Sequence, residues 1–482
     1  MENSRETYYR ALQTRDKRFD GKFFTGVLTT GIFCRPICPA RTPKKQNCQF
    51  YPTAAAAMDA GLRPCLRCRP EAAPGSPAWN GVATTVARAL RLIDDGVLDE
   101  MGVHGLAERL GVSTRHLSRL FAEHLGASPF SVARSQRILL AKKLISETDL
   151  PLSQIAIHSG FNSVRRFNDA LKKTYRRTPS ELRRNASAAP TEIDSIKIKL
   201  AYRPPYAWNQ VSGFLQTRAI PGVEEVGPWG YRRSIRLGGK PSIVEAIPDT
   251  TSDQLKVKFT LNDVGSLQSA VNKIRVLFDL DVDCEPIHQQ FSADPILVKH
   301  VKKNPGLRVP GAWDVFELSV RAILGQQISV AAASTFAGRL VQKFGHPLKV
   351  SVPTSTTHLF PLPEELANED LTVIGLPRKR AESITGLARG FPNTMIKIDR
   401  ARSLEEVEQV LCQLPGIGPW TAQYIAMRAL GYPDAFPVGD LGLIRSLKAL
   451  NPKADSNALS KHAEHWRPWR AYAAMHLWTG AT

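Results

Sequence analysis

The chain has 482 residues, 43% hydrophobic and 22% charged, which predicts three or four domains with packed cores and excludes a collagen-like or wholly disordered chain. Its 64 Lys and Arg outnumber 44 Asp and Glu, a formal charge of +20, which favours a polyanionic partner, either nucleic acid or an anionic membrane surface. No apolar run approaches the roughly 18 residues that span a bilayer, and the polar opening MENSRETYYR lacks a signal-peptide core, so a soluble cytoplasmic protein with no membrane partner is expected.

Residues 1–75 are the first expected domain. Five of the seven cysteines, at 34, 38, 48, 65 and 68, fall here, while Cys284 and Cys412 stand apart. Such clustering without an export signal favours a metal site over disulfides. Cys34-x3-Cys38 and Cys65-x2-Cys68 can supply four thiolates to a tetrahedral zinc. On spacing alone, the plainer reading is a purely structural knuckle. Cys48 has no place in a four-ligand set. A linker is expected over Ala72-Ala-Pro-Gly-Ser-Pro-Ala78.

Residues 82–184 repeat Leu, Ile, Val and Phe at three- and four-residue spacing and predict an all-α domain. A short repeat runs through it, Ala107-x3-Gly111 and Ala156-x3-Gly160. Each copy fits a helix, a glycine turn and a second helix starting at a Ser cap. A small helical bundle with ordinary Gly turns is the bland alternative. Ser113-Thr-Arg-His-Leu-Ser-Arg119 and Asn162-Ser-Val-Arg-Arg-Phe167 have the makeup of recognition helices. Arg115, His116, Arg119, Arg165 and Arg166 are the candidates for base edges and phosphates, and Arg176-Arg177 for phosphate. A second linker is expected over Arg183–Thr191.

Residues 195–300 form the third expected domain. Ser195–Leu200 and Leu255–Thr260 alternate apolar and polar, and few clear helices are visible before residue 285, so an antiparallel sheet is expected. Residues 301–482 are the last expected domain, and within it residues 312–480 return to helical periodicity. Leu414-Pro-Gly-Ile-Gly-Pro-Trp-Thr-Ala422 reads as a hairpin between helices. Gly416 and Gly418 would let backbone approach a DNA phosphate, beside a helix N-terminus that favours an anion. A hairpin used only for binding is the bland alternative. Asp440 opens a further helix, where a lone Asp is most simply an N-cap.

These motifs resemble known families. Thr29-Thr-Gly-Ile-Phe-Cys34-Arg-Pro-Ile-Cys38-Pro-Ala-Arg41 and Phe50 to Cys68 resemble the Ada-type methyl-acceptor domain over about residues 4–71. That resemblance implies one Zn²⁺ on Cys34, Cys38, Cys65 and Cys68, with Cys34 taking a methyl group from a DNA methylphosphotriester. Methylation would change the site's formal charge from −2 to −1, and Arg35, Arg41, Arg63 and Arg67 would then hold DNA more tightly. Residues 84–184 resemble the AraC-type DNA-binding domain.

From about residue 196 to 479 the chain resembles AlkA-type 3-methyladenine glycosylases of the helix-hairpin-helix superfamily. Tyr202–Trp208, Gly213-Phe214, Pro305–Gly311, Arg321–Ser329, Trp466–Tyr472 and His476-Leu-Trp478 carry the likeness. It implies Asp440 as the catalytic carboxylate, with Asp434 a weaker candidate. It implies an electron-rich pocket of Phe214, Trp420, Tyr424 and Trp478 for a cationic base. Gln327, beside Ile328, would fill the gap left by the flipped base, where the family can carry an apolar wedge. Carbonyls of Cys412, Leu414 and Ile417 would hold a monovalent cation. Trp420 stands where strand-cutting relatives place a Schiff-base Lys, so a monofunctional enzyme is expected. No Pro-Cys-His-Arg motif follows residue 72, so no second acceptor for O6-methylguanine is expected.

The expected whole is a multidomain α+β chain. It combines a small zinc-bound α/β domain, an all-α double helix-turn-helix domain, an antiparallel-sheet domain and an all-α helix-hairpin-helix core. It would excise alkylated bases and, once Cys34 is methylated, activate transcription. Its expected partners are damaged and promoter double-stranded DNA and RNA polymerase, and it is expected to be a monomer. The alternative is a methylation-sensing regulator whose C-terminal half binds damaged DNA without catalysis.

Overall fold

The computed structural model describes residues 2–74, 84–184, 195–237, 239–260, 267–348, 355–401, 403–450 and 455–480. Both expected linkers fall largely outside these residues. The chain divides into two units, residues 1–204, 237–242 and 248–272, and residues 205–236, 243–247 and 273–482.

The first unit opens with α1 (Glu2–Thr14), then β1 (Phe24–Val27), β2 (Ile32–Cys34), β3 (Cys48–Tyr51), α2 (Ala54–Asp59) and β4 (Arg63–Pro64). The four strands form a sheet in the order β3-β1-β2-β4. β1 is antiparallel to β2 and β3, whereas β2 runs parallel to β4 with Phe33 opposite Pro64. That parallel register makes Cys34 and Cys65 the next residues on neighbouring strands, and Cys65 N–H donates to the Phe33 carbonyl at 3.0 Å. Phe24, Phe33, Tyr51, Ala54, Ala56, Ala57 and Leu62 fill the core. Gly26 allows this packing, since a Cβ there would come within 2.4 Å of Leu62 Cδ1.

Seven helices follow: α3 (Thr84–Asp94), α4 (Val97–Arg109), α5 (Thr114–Leu125), α6 (Pro129–Glu147), α7 (Leu152–His158), α8 (Val164–Tyr175) and α9 (Pro179–Arg184). The sequence repeat is two helix-turn-helix pairs, α4–α5 and α7–α8. Gly111 and Gly160 take φ of 69° and 80°, a left-handed conformation that a side chain disfavours. Ser113 and Ser163 cap the second helix of each pair, accepting from the N–H of His116 and Arg166. Leu106, Ala107, Leu117 and Phe121 are buried in the first pair, and Ile155, Ala156, Phe167 and Leu171 in the second. The long α6 also packs against α2, so the small sheet and the helical segment share one unit.

Five strands come next: β5 (Ser195–Ala201), β6 (Glu224–Gly227), β7 (Gly230–Leu237), β8 (Lys240–Asp249) and β9 (Gln254–Thr260). The expected antiparallel pairing is present. In the first unit Ile198 lies opposite Val257 on β5 and β9. In the second, Glu225 lies opposite Arg232 on β6 and β7. Helices also stand in this expected sheet domain, from α10 (Trp208–Gln216) between β5 and β6 to three that follow β9. In α10 the buried Val211, Phe214 and Leu215 have helical spacing, but the run is short and a proline-rich approach precedes it.

The remaining helices are α11 (Leu267–Leu277), α12 (Cys284–Ser292), α13 (Val298–Lys303), α14 (Val315–Leu324), α15 (Val330–Phe344), α16 (Pro363–Leu366), α17 (Arg378–Arg400), α18 (Leu404–Cys412), α19 (Pro419–Arg428), α20 (Leu441–Leu450), α21 (Ser456–Ala463) and α22 (Arg470–Gly480), with short strands β10 (His346–Pro347) and β11 (His358–Leu359). No described helix is long and apolar enough to cross a membrane. α14 is buried along nearly its whole length and packs against α15, α17 and α19. It also brings charge inside. Glu317 pairs with Arg233 at 2.6 Å and Arg321 at 3.2 Å, and Arg321 reaches Glu224 at 2.9 Å. Glu224 further accepts from Tyr231 Oη at 2.6 Å and Ile220 N–H at 3.1 Å.

Removing one partner from such a network leaves buried charge uncompensated. Arg233→Met should therefore destabilise the second unit by about 3–5 kcal/mol. Urea unfolding followed by tryptophan fluorescence would read this unit, which holds seven of the eight Trp residues, at 208, 229, 313, 420, 466, 469 and 478. An unchanged midpoint would mean the network contributes nothing net.

Candidate active site and metal centre

The parallel pairing of β2 with β4 brings the two cysteine pairs together. The Sγ atoms of Cys34, Cys38, Cys65 and Cys68 all lie within 4.8 Å of one another. Four thiolates at about 2.3 Å from one Zn²⁺ sit about 3.8 Å apart, inside that limit, so the donor set fits zinc. Arg35 N–H donates to Cys68 Sγ at 3.3 Å. Cys38, Cys65 and Cys68 are buried, and only Cys34 of the four is half-buried. Cys48 lies on β3, outside this group, with its thiol toward the Lys44 carbonyl at 3.4 Å.

One expectation about the surrounding arginines fails. Arg35 does not face outward to meet DNA. Its guanidinium makes a two-point ion pair with buried Asp20, and its Nη1 donates to the Cys68 carbonyl at 3.1 Å. Next to a charged sulfur cluster, the partly desolvated cation is satisfied inside the domain. Arg41 and Arg67 are exposed, and Arg63 is half-buried.

On α5, Arg115 and Arg119 are exposed, as are Arg165 and Arg166 on α8. Leu117 and Phe167 between them point into the core. Each second helix therefore turns its basic side outward. Arg176 takes a left-handed φ of 55° at the end of α8.

In the second unit, Asp440 opens α20 and accepts the Leu443 N–H at 3.0 Å. It is thus an N-cap, and it is more than that. Trp478 Nε1 donates to its Oδ1 at 2.9 Å and Trp420 Nε1 to its Oδ2 at 3.1 Å. Trp420 stacks on Tyr424 at 5.4 Å between centroids and 6° between planes. Phe214 stacks on Trp478 at 6.1 Å, and Tyr424 meets Trp478 edge-on at 6.3 Å. The four aromatic residues expected to line a pocket are one contiguous cluster around this carboxylate. Gly442 makes room, since a Cβ there would lie 3.0 Å from Asp440 Oδ1 and 3.2 Å from Trp478 Cδ1. Asp434 is otherwise engaged. It pairs with Arg467 and with Arg470 Nε at 2.9 Å, a structural role that leaves Asp440 as the carboxylate beside the aromatic cluster.

The hairpin joins α18 to α19. Gly416 has φ of 77°, and a Cβ there would lie 2.5 Å from Ser383 Oγ. Gly416 and Gly418 are both exposed. The Leu414 carbonyl accepts the Ile417 N–H at 3.2 Å. Gln327 is exposed in the loop after α14, with φ of 57°, and Ile328 is half-buried.

Sequence reasoning missed three residues here. Gln326 donates to the Gly416 carbonyl at 2.7 Å and to Thr421 Oγ1 at 3.0 Å, tying the Gln327 loop to the hairpin. Arg218 and Arg428 both stand on the Phe214 ring, at 3.8 and 4.8 Å from its centroid. Arg428 Nη1 also donates to Tyr424 Oη at 2.8 Å. Burial alone would push the Tyr424 phenol up, but Arg428 and Arg218 hold it below its usual range. A signal existed, because each Arg follows its aromatic partner by four residues.

Four domain families match in series. They are the metal binding domain of Ada over residues 7–71, a helix-turn-helix domain over 106–185, the AlkA N-terminal domain over 197–314, and the HhH-GPD superfamily base excision DNA repair protein over 320–470. A Mycobacterium tuberculosis protein named "Probable bifunctional transcriptional activator/DNA repair enzyme AlkA" is 44% identical, covering 99% of this chain and 97% of its own length. The Escherichia coli K12 protein named "DNA-3-methyladenine glycosylase 2" is 34% identical over 58% of this chain and 95% of its own. The solved 3-methyladenine DNA-glycosylase of Archaeoglobus fulgidus shares the fold with a TM-score of 0.52 at 24% identity, over 59% of this chain and 98% of that one.

Ligand thiolates tie metal loading to folding. A strong chelator under reducing conditions should remove one zinc per chain and expose the amides of residues 24–68 to hydrogen exchange, leaving α19–α22 protected. Unchanged exchange in residues 24–68 after complete zinc loss would rule out that dependence.

Proposed function

This chain belongs to the family of bifunctional transcriptional activator/DNA repair enzymes of the AlkA type, and from that premise we propose which residues carry each activity. It repairs alkylated DNA as a 3-methyladenine-type glycosylase and carries an Ada-type methyl acceptor that makes it a regulator of transcription. The observation that carries the residue assignment is Asp440, held at both oxygens by indole N–H groups inside an aromatic cluster.

An alkylated base flipped into this cluster meets aromatic faces, which attract its positive charge. The bond from C1′ to the base nitrogen breaks, and its electron pair leaves with the base. Positive charge develops on the sugar, and the Asp440 carboxylate stabilises it there. Water adds to C1′ and leaves an abasic site. The two indoles fix the carboxylate's direction, so no reorganisation is needed as charge appears. Trp420 takes the place of a Schiff-base Lys, which accords with base release without strand cutting. Gly416 and Gly418 lie against backbone phosphate, the hairpin carbonyls offer a monovalent-cation site, and Gln327 fills the vacated stack.

In the first unit, Zn²⁺ when bound keeps all four cysteines as thiolates. Cys34 is the acceptor, and its greater exposure supports that choice. Its sulfur attacks the methyl carbon, the carbon–oxygen bond breaks, and a phosphodiester anion leaves. The cluster loses one negative charge, and repulsion from DNA falls. Arg115, Arg119, Arg165 and Arg166 then read promoter DNA. Contact with RNA polymerase, a monomeric state and residence in the cytoplasm belong to the same reading.

Asp440→Asn should lower 3-methyladenine release from methylated duplex DNA by at least about a thousandfold while damaged-DNA binding persists. Retained release would move the catalytic role to another carboxylate. Cys34→Ser should abolish transfer of labelled methyl from methylphosphotriester DNA to protein, with base release intact. Labelling of the Ser variant at the wild-type level would exclude Cys34 as the acceptor.

A further inference from the structure

We propose that Arg218 sets which bases the pocket expels, by opposing a base that enters as a cation and stabilising one that leaves as an anion. This rests on the glycosylase reading above and adds a residue and a selectivity to it.

Arg218 lies one turn beyond Phe214, just past the end of α10. Its guanidinium folds back over the ring, 3.8 Å from the centroid. Nη1 donates to the Phe214 carbonyl at 3.3 Å and to Thr217 Oγ1 at 3.1 Å. The Arg218 carbonyl accepts from Arg321, a member of the buried network with Glu224 and Glu317. The core therefore fixes the backbone of Arg218 and leaves its guanidinium at the aromatic cluster. Arg428 is held differently. Its Nε and Nη2 donate to the carbonyls of Pro310 and Gly311, both at 2.7 Å, and Nη1 to Tyr424. Its donors are engaged with the scaffold, so Arg218 is the more adaptable cation of the two.

The cluster thus has a carboxylate on one side, at Trp420 and Trp478, and two guanidinium groups on the other, at Phe214 and Tyr424. Charges in so poorly hydrated a place are weakly screened. In excision the electron pair of the C1′–N bond leaves with the base and water delivers hydroxide to C1′, its proton going to solvent when the base leaves neutral and to the base when it leaves as an anion. A 3-methyladenine starts positive and leaves neutral, so Arg218 repels it on entry, and its departure does no more than relieve that repulsion. A neutral purine such as hypoxanthine leaves with negative charge until it is protonated, and guanidinium N–H donors stabilise that charge. Its ring carbonyl also accepts such a donor, whereas the amino group of 3-methyladenine offers only hydrogens. Both effects favour the neutral base.

The test compares the second-order rate constants, measured in single turnover below saturating enzyme, for release of 3-methyladenine and of hypoxanthine from duplex DNA, for the wild type, Arg218→Met and Arg218→Lys. Met keeps the apolar stem over Phe214 without the charge, and Lys keeps the charge without the fork. The ratio of the two rates does not depend on the fraction of folded protein. The inference expects the ratio of 3-methyladenine to hypoxanthine release to rise by about tenfold or more in Arg218→Met. In Arg218→Lys the ratio should stay nearer the wild-type value. If wild type releases 3-methyladenine but the Met variant leaves the ratio unmoved, the selectivity role is overturned and the glycosylase reading stands. If wild type releases neither base, the glycosylase reading falls and this inference falls with it.

Discussion

Two indole N–H groups meet the two oxygens of one carboxylate, and much of the second unit can be understood as what keeps that meeting in place. Trp420 opens α19, Asp440 opens α20 and Trp478 lies near the end of α22, so three helices must converge at one point. The hairpin turns α18 into α19 through the left-handed Gly416. Gly442 leaves space for the Trp478 ring. Ser446 donates to the Leu477 carbonyl at 2.7 Å, locking α20 to α22 one turn from the site. Gly442, Ser446 and Leu477 need not touch DNA, yet each helps to set the carboxylate's direction. A preformed field of this kind acts without waiting for solvent to reorganise.

Charge placed in dry surroundings is the second recurring device. The Glu224, Glu317, Arg233 and Arg321 network costs desolvation and repays it only because every member has partners. Its position gives it a further use, since Glu224 holds the Ile220 N–H and Arg321 holds the Arg218 carbonyl. The segment between α10 and β6 is therefore anchored where it passes the aromatic cluster. The aromatic cluster carries two guanidinium groups on Phe214, so it is not simply electron-rich.

In the first unit the same logic works on sulfur. Four thiol groups converge because one strand pair is parallel, and a cation is what makes such a gathering stable. Arg35 turns inward to Asp20, and its backbone N–H and guanidinium both serve the Cys68 segment. Arg41 and Arg67 are exposed, as are Arg115, Arg119, Arg165 and Arg166 on α5 and α8. The sulfur cluster and the basic faces of α5 and α8 thus belong to different parts of the first unit.

The sequence by itself determined the order of domains, the four sulfur ligands, the paired helix-turn-helix repeat and the hairpin with its following Asp. Each of these is written in local spacing. Cysteine pairs, Gly turns and Ser caps act over a few residues, so their meaning survives without the fold. Only the tertiary structure decided the rest. Asp434, the weaker candidate in text, lies six residues before Asp440, and packing separates them further: arginines from beyond residue 466 claim the first and indoles from α19 and α22 claim the second. Arg35 looked like a DNA contact until Asp20 appeared beside it. Arg218 and Arg428 are more than 200 residues apart in sequence, and only packing brings both onto one phenyl ring. Long-range charge pairing has no period and no spacing rule, so it becomes visible only when the chain is folded.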